Sequence, residues 1–137
     1  MEEKNPKFAD LEVLVCDDDD MILKIMTHIL NDMGFGFVKG TRNPETALML
    51  IREPVDKPFD LLVCDWKMPE MSGIEVLQKL REGGYTIPFI MLTSNVTKEA
   101  VEEARSGGVA AYIAKPFSAD QVQRKVGTVA LRLLKES

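Results

Sequence analysis

The stretch VLVCDDDDMILKIM, residues 13–26, runs an apolar segment straight into four consecutive aspartates and then into apolar residues at helical spacing. Strand, acidic turn and helix in immediate succession make the opening unit of an α/β fold. The acids are the costly part. At an effective dielectric near 20, two carboxylates about 4 Å apart repel by roughly 4 kcal/mol. Four of them where a core meets its surface call for an offsetting cation.

Working outward, further apolar runs that read as strands occur at 59–64 (FDLLVC), 88–93 (PFIMLT) and 110–114 (AAYIA), beside 12–16 (EVLVC) and a weaker one at 35–40 (FGFVKG). Near-continuous apolarity, rather than alternation, predicts strands covered on both faces. Helical patterns separate them. Ile22, Ile25, Met26, Ile29 and Met33 recur at helical spacing, with Gly34 placed to end that helix. Asn43-Pro44 reads as an N-cap followed by proline at the first helical position. Ser72 with Glu75, and Ser118 with Gln121, form capping boxes. Thr97 caps a helix that Gly107-Gly108 closes. Five strands alternating with five helices predict a doubly wound parallel sheet, because parallel neighbours need right-handed crossovers.

The chain has 137 residues, 45% of them hydrophobic, which suits one domain with one core. A net charge of −5 disfavours a phosphate-backbone footprint, so no nucleic-acid partner is expected. The first ten residues are charged and no run is long enough to span a bilayer, so no membrane partner is expected and the chain reads as cytoplasmic. Cys16 and Cys64 each precede an aspartate, but without CxxC or Cys/His spacing they read as small buried hydrophobes. His28 reads as a helix-surface residue.

In an open α/β sheet, ligands bind outside the carboxyl ends of the strands. There the sequence places Asp17, Asp18, Asp19 and Asp20 after the first strand, Asp65 after the third, Thr93 and Ser94 after the fourth, and Lys115-Pro116 after the fifth. Three carboxylates, a hydroxyl and an ammonium on one edge describe a chemical site. Mg²⁺ is the expected ion, since it prefers carboxylate, carbonyl and water oxygens. An EF-hand does not fit, because a ligand position would fall on Met21 and the glycine of the turn is missing. With a cation present, one carboxylate can attack a phosphoryl group while Thr93 and Lys115 bind its oxygens.

The blocks LVCDDDD, LLVCDWKMPEMSG, IMLTSN and AAYIAKPF resemble, in order and spacing, those of response-regulator receiver domains, the CheY-like family, over about residues 11–134. The resemblance implies a flavodoxin-like strand order of 2-1-3-4-5, with residues 1–10 an N-terminal extension and 135–137 a tail. It implies that Asp65 accepts a phosphoryl group from a sensor histidine kinase or histidine phosphotransfer protein. Asp18 would ligate Mg²⁺ directly, Asp17 directly or through water, and the Lys67 backbone carbonyl would complete the set with Asp65. Asp20 is expected to cap the first helix. Thr93 would be the switch hydroxyl, Lys115 the site lysine, and Tyr112 the aromatic whose rotamer reports phosphorylation. Lys115-Pro116 should be cis.

Lys67 and Asn95 flank the expected path of hydrolytic water and are candidates for tuning the lifetime of the phosphate, with the Lys67 side chain covering it. Output would pass through a surface of about residues 95–134 to a protein target, in a stand-alone receiver of the chemotaxis or phosphorelay type and not a turnover enzyme. Two other readings compete. A haloacid-dehalogenase-type phosphatase also uses an aspartyl nucleophile and Mg²⁺; Asp17-x-Asp19 supplies its DxD start, but Met21 stands where Thr or Val is usual and Asp65 would go unused. A phosphorylation-independent pseudo-receiver would be a binding module only.

Overall fold

The computed structural model describes residues 5–95 and 97–136. Residues 1–4 of the expected extension, Val96 of the expected output surface and Ser137 of the tail lie outside them. Strands β1 (Glu12–Cys16), β2 (Phe37–Thr41), β3 (Leu61–Asp65), β4 (Phe89–Thr93) and β5 (Ala111–Ala114) alternate with helices α1 (Asp20–Met33), α2 (Pro44–Arg52), α3 (Gly73–Glu82), α4 (Lys98–Ser106) and α5 (Ala119–Glu136). All strand pairs are parallel, in the order β2-β1-β3-β4-β5. This is the expected doubly wound order.

Side chains alternate across a strand, and here both faces of the central strands are apolar. Val13, Val15, Leu61, Val63, Ile90, Leu92 and Ile113 pack with α1 and α5 in one core. Leu14, Cys16, Leu62, Cys64, Phe89 and Met91 pack with α2, α3 and α4 in the other. The same alternation assigns Asp17, Asp65 and Lys115 to one parity, that of Val15, Val63 and Ile113. Register brings Cys16 opposite Cys64, so Asp17 and Asp65 leave neighbouring strands side by side.

β2 departs from expectation. It is an edge strand with a single neighbour, and Phe37, Lys39 and Gly40 are exposed rather than covered. On α1 the buried stripe is Leu23, Met26, Ile29, Leu30 and Met33, whereas Ile25, expected in the core, is 43% exposed. The stripe follows the helix face that meets the sheet, and Ile25 lies beyond its border.

Helix ends follow the side-chain signals. The capping box at Ser72 is complete, Asn43, Thr97 and Ser118 accept from the first-turn amides, and Gly34 closes α1 in the left-handed region at φ 103°. The expected cap at Asp20 is corrected. Asp19 is the N-cap, its Oδ1 accepting from Met21 and Ile22, because its extended backbone aims the carboxylate at the free amides. Asp20 instead begins the helix and pairs with Lys24 at 3.3 Å.

A short 3-10 helix, Pro6–Asp10, precedes β1. Phe8 is buried and stacks on Phe35 with centroids 4.8 Å apart, so residues 5–10 close one end of the core. No helix among the described residues is long and apolar enough to cross a membrane. Lys115-Pro116 is cis.

Candidate functional site

Asp17 and Asp65 are positioned by the two central strands, and their surroundings follow from that. Asp17 is wholly buried. Its Oδ1 accepts the Asp19 amide at 2.9 Å, and its Oδ2 accepts Lys115 Nζ at 2.9 Å. Lys115 Nζ also donates to Asp65 Oδ1 at 3.0 Å, so one ammonium bridges two carboxylates. Asp18, half-buried, completes the acidic group. One oxygen from each of Asp17, Asp18 and Asp65 lies within 4.8 Å of the others.

Burial is the largest influence on Asp65 and pushes its carboxyl up to about 6, against the pull of Lys115; the charge of Asp17 and a hydrogen bond with Asp18 push the same way. Burial alone would lower the Lys115 ammonium, but its bonds to Asp17 and Asp65 outweigh it and raise it. The two shifts are consistent. A single cation is being shared by more negative charge than it neutralises.

That deficit is the fit test for a metal. The donors are hard oxygens, as Mg²⁺ requires, and at Mg–O distances of about 2.1 Å opposite ligands stand about 4.2 Å apart. Three carboxylate oxygens within 4.8 Å of one another are near enough to converge on one such ion. The Asp17–Asp18–Asp65 cluster therefore fits a small divalent cation.

Lys67 lies two residues after Asp65 with its side chain exposed. Its loop is pinned at both ends, by the Trp66 amide donating to the Leu92 carbonyl at 2.8 Å and the Gly73 amide to the Trp66 carbonyl at 2.7 Å. Trp66 is half-buried and Met68 buried, with Cys16 Sγ donating to Met68 Sδ at 3.6 Å. Cys16 and Cys64 are both buried and free. A hydrogen bond with Cys16, burial and the nearby Asp65 and Asp17 charges push the Cys64 thiol well above its ordinary value, which keeps it unreactive.

Thr93 is buried at the end of β4, but its hydroxyl is engaged with its own loop. It accepts the Asn95 amide at 2.9 Å and donates to the Asn95 carbonyl at 3.3 Å. Asn95 is exposed and its Oδ1 accepts the Thr97 amide. The expected switch hydroxyl is thus on the right strand end and turned to a different partner. Tyr112 is half-buried on β5, with Lys125 against it. Asp19, required by the phosphatase reading, has its carboxylate committed to capping α1.

Two contributors escaped the sequence reading. Arg42, at the carboxyl end of β2, donates from Nε to the Asp18 carbonyl at 3.3 Å, and a basic residue at a strand end was the signal for it. Lys125 carried no signal, since it is one of several cations on a long helix.

A family model described as the response regulator receiver domain matches residues 13–127. The chain is 32% identical to the chemotaxis protein CheY-3 of Vibrio cholerae over 126 residues, covering 90% of this chain and 95% of that protein. It is 31% identical to the chemotaxis protein CheY of Pseudomonas aeruginosa over 125 residues, covering 90% and 98%. Among solved structures, a Francisella response regulator receiver domain superposes with a TM-score of 0.81 at 30% identity, over 90% of this chain and 98% of that one.

Proposed function

The chain belongs to the response regulator receiver domain family, and from that premise we propose that Asp65 accepts a phosphoryl group from a phosphohistidine donor, with Mg²⁺ held at Asp17, Asp18 and Asp65. The donor is a sensor histidine kinase or a histidine phosphotransfer protein in the cytoplasm. The observation that carries the reading is Lys115 bridging Asp17 and Asp65, with the Asp18 carboxylate grouped beside them.

When bound, the metal supplies positive charge to the carboxylates and the phosphoryl oxygens. An Asp65 carboxylate oxygen forms the new O–P bond as the N–P bond of the donor breaks, and the electron pair stays on the imidazole nitrogen, which takes up a proton. Lys115 is already within hydrogen-bond distance of Asp65 Oδ1, so its ammonium needs only a short excursion to meet a phosphoryl oxygen. Thr93 must release Asn95 before its hydroxyl can donate to another. The Lys67 backbone carbonyl joins the ligand set, while the Lys67 and Asn95 side chains set the lifetime of the acyl phosphate. The chain takes one phosphoryl group and turns over no separate substrate.

Phosphorylation adds about −1.5 to −2 charge and biases two pre-existing arrangements of the β4–α4 loop and Tyr112. The altered surface, about residues 95–134, then changes its affinity for a protein target. The Vibrio and Pseudomonas relatives, both named chemotaxis proteins, support a place in motility control.

Acetyl phosphate with Mg²⁺ should add one phosphoryl group to the parent chain, read by intact mass, and none to Asp65→Asn. Labelling that survives Asp65→Asn, or sustained hydrolysis of a phosphomonoester, would overturn the assignment.

A further inference from the structure

Tyr112 stands on β5 three residues before Lys115, and one side chain of α5 touches both its backbone and its ring. Lys125 Nζ donates to the Tyr112 carbonyl oxygen at 2.6 Å and lies 4.6 Å from the centre of the Tyr112 ring. Lys125 is half-buried, and among the described residues no carboxylate pairs with its ammonium. A partly desolvated cation without a counter-charge depends on whatever carbonyl and π-face it has. Here Tyr112 supplies both.

The geometry points to Lys125 as a positioning residue that holds Tyr112 in the unphosphorylated arrangement and so sets how readily the chain accepts a phosphoryl group. The inference deepens the reading of Asp65 and Tyr112 given above and rests on it. Two observations at separate places bear on the switch: the Thr93 hydroxyl is tied to Asn95, and Lys125 stands over the Tyr112 ring. Moving the ring away from α5 takes from the ammonium its only aromatic face. A ligand that favours the moved arrangement binds more weakly by the fraction of molecules already in it. Removing the ammonium removes that handicap.

The test is a beryllofluoride titration in Mg²⁺, followed by the fluorescence of Trp66, the single tryptophan, adjacent to Asp65. Lys125→Met should bind at least about threefold more tightly than the parent, with Mg²⁺ affinity unchanged in the absence of beryllofluoride. Lys125→Arg, which keeps a cation over the ring, should match the parent. In a Tyr112→Leu background, Lys125→Met should have no effect, because the partner is gone. Unchanged affinity in Lys125→Met, or an equal gain without Tyr112, overturns the proposal. A second measurement needs no variant: NMR contacts between the Lys125 side chain and the Tyr112 ring should be present in the parent and lost on adding beryllofluoride, and their persistence would equally overturn it. A parent chain that ignores beryllofluoride altogether refutes the Asp65 reading first and this one with it, which the parent titration reports before any variant is made.

Discussion

Asp65 is destabilised as a carboxylate by burial and by two acidic neighbours, and its carboxyl stands at about 6 where 3.8 is ordinary. A folded-state value above the unfolded one means that the native chain holds this proton more tightly. In the absence of divalent metal, its contribution to stability therefore falls as pH rises from about 4 through about 6, and the cost is complete above that. Lys115 has the same sign in a higher window: its raised value contributes stability that is fully present below 10.5 and is lost only as pH climbs past its folded value. In chelator, Asp65→Asn is expected to be more stable to urea than the parent at pH 7.5 by about 1–3 kcal/mol, with the gap closing near pH 4. A parent as stable as the variant at pH 7.5 would contradict the strain. At this scale Asp17, Asp18, Asp65 and Lys115 were legible because each sits at the end of an apolar run. Arg42, a basic residue at a strand end, was overlooked, and Lys125 was not legible, because its partners are a backbone carbonyl and a ring brought near by packing.

Between elements, the approach of α3 to β3 shapes the acceptor loop. Gly73 begins α3, and a Cβ there would collide with the Asp65 carbonyl oxygen and crowd the Trp66 backbone. Neither is the end of a flexible side chain, so the loop itself would have to move. Gly73→Ala should cost about 1–3 kcal/mol in urea unfolding and also weaken Mg²⁺ binding, read by titration of Trp66 fluorescence. Gly84 is the control. It has φ +84° with open space around it, so Gly84→Ala should carry only a backbone cost of about 1–2 kcal/mol and leave metal affinity alone. Element ends were readable to within a residue or two wherever a side chain caps the helix. Between Asp19 and Asp20 composition offered no choice, and the backbone conformation of Asp19 made it.

For the molecule as a whole, the acidic rim is a local defect that a bound cation would remove. Anything that binds the native state alone stabilises it by RT ln(1 + [L]/Kd), about 2.7 kcal/mol at a hundredfold excess over Kd. Mg²⁺ should therefore raise the thermal unfolding midpoint at neutral pH, and Asp18→Ala should abolish most of that rise. An equal rise in the variant would place the ion elsewhere.

The α/β class, the alternation of elements, the caps and the set of strand-end groups are properties of the sequence itself, because hydrophobic period and short-range capping act within a few residues of chain. The strand order came from resemblance, and packing realises it. Only the tertiary structure decided that β2 is exposed, that Phe8 closes the core and that Lys125 holds Tyr112. Each of these depends on which surfaces meet across the sheet, and such long-range contacts leave no periodic trace along the chain.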